Sequence, residues 1–312
     1  MQWSVTNVQR SLKDLERFAV SATNGEIGHV VDFLLDDEHW AVRYLVVRTS
    51  GVFSGRQVLV SPIAFRDVDW ATRRFHVALT VEQVKDSPAV DTDKPVSRQH
   101  ERDYNMFYGY PSYWSSTSLW GLGLYPGLLA GAGWTDAPVE TADYASGDAH
   151  LRSASELRHY HVQGTDDSIG HVADFIADDA TWGVRYLVVD TSDWWFGKKV
   201  LIAPQWAHRV SWEDRSVYVA MTRKAIKNSP EWNEAAAVNR EYEQQLHDYY
   251  GLPVSWGSDG HPKEAHPIKA AHDGDAIDAN PPRTTTFGWF TAPKFGSAGG
   301  GGAELEPGPE RD

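Results

Sequence analysis

The segment Ile27-Gly28-His29-Val30, with Asp32-Phe33, Asp36-Asp37, Trp40 and Val42-Arg43-Tyr44-Leu45-Val46-Val47 behind it, recurs 142 residues later. The second copy reads Ile169-Gly170-His171-Val172, Asp174-Phe175, Asp178-Asp179, Trp182 and Val184-Arg185-Tyr186-Leu187-Val188-Val189, with no insertion or deletion between the two. A fixed period of this kind constrains a fold more than any local propensity, because each copy must be the same supersecondary unit. About 40% of the positions in 10–114 are identical to those in 152–256, so the sequence predicts one fold used twice.

Local pattern gives that fold its class. Odd positions from Ile27 to Leu35 are Ile, His, Val, Phe and Leu, the period of a strand with one buried face. Trp40 to Arg48 is a strand rich in β-branched and aromatic residues, too uniformly apolar to be half exposed, as expected inside a small closed sheet. Val58-Leu59-Val60, stopped by Pro62, is another strand, and Val68–Trp70 with Phe75–Leu79 forms a last hairpin. Ser11 and Ser153 are N-caps of short turns whose Leu15 and Leu157 plug a core, and Thr80 and Thr222 cap a helix ended by Ser87-Pro88 and Ser229-Pro230. Ser97 and Asn239 cap a second helix that runs to Gly109 and Gly251. Five or six short strands in each copy, closed by helices, predict a mainly β chain of two small barrels in tandem, each with a C-terminal helical extension. The predicted boundaries are domain 1 at 1–115, a Gly- and aromatic-rich linker at 116–150, domain 2 at 151–257 and a disordered tail at 258–312.

Composition narrows the function. There is no cysteine, which removes thiol catalysis, disulfides and cysteine metal sites. The formal net charge is −14, and over half of the excess lies in the linker and tail, leaving the copies near neutral. A nucleic-acid backbone has no basic face to attract it, so no direct nucleic-acid binding is expected. No apolar run reaches the roughly 20 residues of a spanning helix and no secretory leader is visible, so no transmembrane segment and a cytoplasmic location are expected.

The series Gly28-His-Val-x-Asp-Phe-x-x-Asp-Asp, Trp40-x-Val-Arg-Tyr-Leu-Val-Val, Val58-Leu-Val-x-Pro62 and Val77-x-x-Thr80-x-x-x-Val84-Lys-x-Ser-Pro88 resembles the PRC-barrel domain. That β-barrel module is found in the H subunit of photosynthetic reaction centres and in the C-terminal half of the ribosome maturation factor RimM. Glu101 with Tyr108-Gly-Tyr-Pro111-x-x-Trp114, and Glu243 with Tyr250-Gly-Leu-Pro253-x-x-Trp256, are similar to the ends of bacterial stand-alone tandem PRC-barrel proteins. The resemblance implies an adaptor fold with no shared catalytic residues and no cofactor. It points to a non-catalytic protein-binding or scaffold module with an unknown protein partner, and leaves a homo-oligomer open. The alternatives are an RNA-processing or ribosome-assembly adaptor acting through a protein partner, and an adaptor associated with a membrane complex.

Candidate residues follow from the same reading. Arg43 and Arg185 lie in apolar strands and need a carboxylate; Asp32 and Asp174, on the preceding strand, are the expected cross-strand partners. Copy 1 reads Gly51-Val52-Phe53-Ser54 where copy 2 reads Asp193-Trp194-Trp195-Phe196. Three consecutive aromatics cannot all point inward, which makes Phe53, Trp194, Trp195 and Phe196 the interaction candidates, against packing between the barrels. His29, His171, His159 and His161 are read as structural or edge residues, with no metal site expected. In the tail, Phe287-Gly-Trp-Phe290 is a short aromatic patch suited to binding back onto a barrel or recruiting a partner.

Overall fold

The computed structural model describes residues 8–51, 55–88, 96–114, 118–121, 123, 125–129, 149–192, 198–234 and 238–251. Copy 1 contributes β1 (Gln9–Ser11), α1 (Leu12–Leu15), β2 (Ala19–Ser21), β3 (Glu26–Asp36), β4 (Ala41–Thr49), β5 (Gln57–Val60), β6 (Phe65–Asp69), β7 (Arg74–Val77), α2 (Val81–Asp86), β8 (Val96–Ser97) and α3 (Arg98–Tyr108). Copy 2 repeats the order with β9 (Ala149–Ser153), α4 (Ala154–Leu157), β10 (His161–Gln163), β11 (Ser168–Asp178), β12 (Val184–Asp190), β13 (Lys199–Ile202), β14 (Ala207–Ser211), β15 (Ser216–Val219), α5 (Arg223–Lys227) and α6 (Arg240–Tyr250). The expected caps form: Ser11, Ser153, Thr80, Thr222, Ser97 and Asn239 each accept a backbone N–H of the first turn, and Gly109 and Gly251 close α3 and α6 in the left-handed region.

The chain is mainly β, built as two sheets of identical path, β5-β4-β3-β2-β7-β6 and β13-β12-β11-β10-β15-β14. β2 and β10 pair in parallel with β7 and β15, and the remaining pairs within each copy are antiparallel. Neither path closes on itself among the described residues, so the closed barrel expected from the sequence is not formed by strand pairing. Gly28 and Gly170 show why the Ile-Gly-His motif is needed. A Cβ there would sit 2.0 Å from the carbonyl oxygen of Arg48 or Asp190 on the neighbouring strand.

The first strand of each copy leaves its own sheet. β1 pairs with β11 of copy 2 in the register Gln9↔Asp178, Arg10↔Ala177, Ser11↔Ile176. β9 pairs with β3 of copy 1 as Leu151↔Asp36, Arg152↔Leu35, Ser153↔Leu34, which is the same register shifted by the repeat offset. The exchange is therefore reciprocal about a pseudo-two-fold axis. The hairpin corners meet on that axis, where Val42 N–H donates to the Trp182 carbonyl at 2.8 Å and Val184 N–H to the Trp40 carbonyl at 2.7 Å. Both Trp residues are held at positive φ (52° and 59°), an uncommon state for a bulky residue, in the turns whose carbonyls cross the axis.

Exchange also explains a burial pattern that the sequence misread. Strand β3 alternates in its first half, but Phe33, Leu34, Leu35 and Asp36 are all buried, because Leu151 of β9, together with Val96 and Tyr104 of copy 1, covers the face expected to meet water. A single apolar cluster runs through both copies, holding Val30, Phe33 and Trp40 together with Phe175, Trp182 and Val189. The region expected to be a linker contributes to it. Trp120 is 1% exposed, and its indole N–H donates to the Thr181 carbonyl at 2.7 Å.

Candidate functional site

Polar side chains gather in two kinds of place, the exchange contact and the interior of copy 1. At the exchange contact, Asp32 accepts Ser153 Oγ at 2.5 Å, Ser155 Oγ at 2.9 Å and the Ser155 N–H at 3.0 Å. Asp174 likewise accepts Ser11 Oγ at 2.5 Å and the Lys13 N–H at 3.2 Å. Each Asp therefore anchors the short helix that follows the visiting strand, and N-caps it across the copy boundary. Arg10 stacks over Trp70 at 3.9 Å and reaches Asp179, and Arg152 stacks over Trp212 at 4.2 Å and reaches Asp37.

This geometry corrects the expected ion pairs. Asp32 does not meet Arg43, and Asp174 does not meet Arg185. Bulges between Val30 and Asp32 and between Leu34 and Leu35 set Asp32 opposite Val46, and bring Asp36 to the arginine. Arg43 donates from Nε (3.0 Å) and Nη2 (2.6 Å) to Asp36 Oδ2, with both side chains fully buried. In copy 2 the partner is Asp178, at a looser 3.7 Å.

Around Arg43 the interior of copy 1 forms a charged cluster. Its Nη1 donates to the Leu119 carbonyl at 2.5 Å, and its guanidinium lies 3.6 Å from the Tyr113 ring centre and 4.9 Å from that of Trp120. Tyr113 Oη donates to Glu101 at 2.6 Å, and Arg98 bridges Glu101 and Glu38. Burial alone would raise the Asp36 carboxyl, but Arg43, the His39 hydrogen bond and Arg98 outweigh it and hold Asp36 well below the usual carboxylate range. Burial pushes Glu101 up to about 7 against the pull of Arg98 and Tyr113. Burial, reinforced by the neighbouring Asp36 charge, pushes Asp37 up to about 8. Copy 2 answers with a smaller arrangement: Tyr186 Oη donates to Glu243 at 2.9 Å and lies 3.2 Å from His247 Nε2, and Gln9 of copy 1 donates to the same carboxylate.

The chemistry available to these groups is limited by what already holds them. Asp36, Glu38 and His39 are the residues whose ligating atoms come within 4.8 Å of one another among the described residues. Asp36 Oδ2 is already spent on a guanidinium whose charge opposes a cation at that point. His161 lies opposite His171, and His171 opposite Asp190, as ladder neighbours. An open cleft on copy 2 is lined by Asp166, Arg223, Lys224, Lys227 and Asn228, and none of these belongs to the charged cluster. No described helix is long and apolar enough to cross a membrane.

The apolar surface has a pattern of its own. Among the described residues, the exposed large apolar side chains are Met106 (75%), Phe107 (43%) and Tyr249 (41%). Phe107 and Tyr249 are equivalent positions on the last turns of α3 and α6, each edge-on to the next tyrosine, Tyr108 or Tyr250. Sequence reasoning passed over them, although an aromatic at the same offset on two predicted helices was a visible signal. The residues it chose instead, Phe53, Trp194, Trp195 and Phe196, lie outside the described residues, as does the Phe287–Phe290 patch.

Two sheets of one topology, with buried polar groups inside and aromatic side chains on the helical ends, define a module of two related β units. Residues 150–225 match the family model of the PRC-barrel domain, and copy 1 repeats the strand order of that segment. No curated protein matches the chain.

Proposed function

We propose that the chain is a non-catalytic scaffold that presents two related docking points, the ends of α3 and α6, from one rigid body. The observation that carries this reading is the repeated exposed aromatic, Phe107 and Tyr249, at equivalent positions of two copies locked together by strand exchange. Binding energy at protein contacts concentrates in a few aromatic and similar anchors, and a rigid frame lowers the entropy lost on docking. The absence of catalysis is supported by the fixed hydrogen bonds of the buried Asp36, Glu101 and Glu243 carboxyls, which leave them structural roles. The Trp194-Trp195-Phe196 loop is proposed as a further contact of the same kind, on its sequence alone. The test is quantitative affinity purification from the native cell with wild type, Met106→Ser/Phe107→Ser and Trp194→Ala/Trp195→Ala. A partner lost from a variant whose melting temperature is unchanged supports the reading. An identical partner profile for all three overturns it, and ribosomal or membrane-complex proteins among the partners would choose the adaptor's setting.

A further inference from the structure

The contact between the copies is pseudo-symmetric, and two of its departures from symmetry, Glu16 against Arg158 and Gln9 against Leu151, share one sense. We propose that this surface is coded for a single pairing, copy 1 with copy 2, and that Glu16, Arg158, Gln9 and Leu151 carry the code. The chain is then a closed pseudo-dimer whose two-fold face accepts no further copy.

On the axis itself each residue faces its own counterpart 142 positions on, as the isolated bridge Ala41↔Gly183 shows. Glu16 and Arg158 are such a pair, and they form an ion pair with side chains 24% and 12% exposed. Pairing two first copies would set Glu16 against Glu16. Pairing two second copies would set Arg158 against Arg158. Like charges at a partly desolvated contact penalise both homotypic arrangements, while the chain's own pairing is rewarded.

Away from the axis the visiting strands differ in the same way. Gln9 brings an amide that donates to the buried Glu243. Its counterpart Leu151 is fully buried in an apolar pocket of copy 1, with Leu34, Tyr44, Val46 and Tyr104. In a homotypic pair of first copies, Gln9 would displace Leu151 from that apolar cluster and meet Glu101, the counterpart of Glu243, whose carboxylate already accepts Tyr113 Oη. In a pair of second copies, Leu151 would take away the amide donor that Glu243 has in the native pairing. Either exchange buries a polar group without its native partner.

The test uses the full chain with a protease site inserted between Trp134 and Asp148, cut after folding, unfolded in urea, refolded and read by native mass spectrometry. Wild-type fragments are expected to return as the 1:1 complex at about nine-tenths or more of all pairs, against the 1:2:1 mixture of an uncoded two-fold surface. Gln9→Leu with Glu16→Ala removes the obstacles to pairing first copies, and a homodimer of that fragment should appear at several times its wild-type share. A statistical mixture from wild type, or an unchanged exclusive 1:1 complex from the variant, overturns the proposal. A second measurement needs no fragment. In the intact chain Glu16→Arg and Arg158→Glu should each lower the melting temperature, and the double charge swap should restore most of the loss; a swap no more stable than its worse single variant contradicts the axis pair as part of the code.

Discussion

Replacing Arg43 by Met keeps an unbranched apolar stem close to that of arginine and removes the guanidinium. The structure sets what that removes: two hydrogen bonds to Asp36 Oδ2 at 3.0 and 2.6 Å, one to the Leu119 carbonyl, and the ring contact with Tyr113. Because Asp36 is fully buried, the variant leaves a carboxylate without its counter-charge, a change that costs about 3–5 kcal/mol. For a unit of this size each kcal/mol moves the midpoint by about 2–4 °C, so the melting temperature should fall by roughly 6–20 °C at pH 7. The pH profile should change sign as well. In the wild type Asp36 is held far below the usual carboxylate range, so its contribution is fully present above about pH 4 and is lost only in strong acid. Without Arg43, the largest of the effects opposing burial is gone, leaving His39, Arg98 and the Glu38 and His39 N–H donors, and the folded chain holds the Asp36 proton more tightly than the wild type does. Arg43→Met should then be less deficient at pH 5 than at pH 7.5. Asp36→Asn added to Arg43→Met should recover stability at pH 7.5, giving a coupling of about 2 kcal/mol or more in a double-mutant cycle read by urea unfolding. A single variant within 2 °C of wild type, or additive effects of the two changes, would refute the reading of this pair as the core's compensated charge.

Asp37, pushed up to about 8, keeps its proton more tightly in the folded chain than in the unfolded one. The stability it shapes is therefore greatest in acid and declines as pH rises from about 4 towards 8, and Asp37→Asn should flatten the fall in melting temperature between pH 5.5 and 8; an unaltered slope would count against it. Ser153→Ala removes the hydroxyl that Asp32 accepts across the copy boundary and should cost about 1–2 kcal/mol in urea unfolding, with Ser11→Ala matching it at Asp174. Trp120→Ala should lower the unfolding free energy by about 3–5 kcal/mol, which a solvent-facing linker residue would not do. Phe107→Ser, at an exposed position, should leave the same unfolding curve within about 0.5 kcal/mol of wild type.

Much of this architecture is legible in the chain. The repeat declares two equal units, the alternation around Ile27 and the capping residues Ser11, Thr80 and Ser97 place strands and helices, and Gly28 marks a backbone approach only glycine tolerates. The exchange is not legible, because β1 and β9 are short segments whose composition reads equally well as leader or linker, and nothing local states which sheet they join. The Arg43 partner was missed for a related reason. Period-two counting picks Asp32, whereas two bulges in β3 shift the register and deliver Asp36, and a bulge leaves no reliable mark in one sequence. Trp120 was hidden by its Gly-rich surroundings, which disguise a side chain that the copy boundary buries. The near-continuous apolar run of β4 did predict burial on both faces, but the second face is covered by Val96 and Tyr104 of the same copy together with Leu151 of the other, and not by the inside of a closed barrel.

The central claim is that the two copies fold as one body, and differential scanning calorimetry of the intact chain tests it most directly. Reciprocal strand exchange and a shared apolar cluster predict a single reversible transition whose calorimetric and van't Hoff enthalpies agree. At about 0.7 kcal/mol per residue near 60 °C, the roughly 200 described residues correspond to about 140 kcal/mol. Two resolved transitions, or a van't Hoff enthalpy near half the calorimetric one, would show the copies unfolding independently and contradict the account.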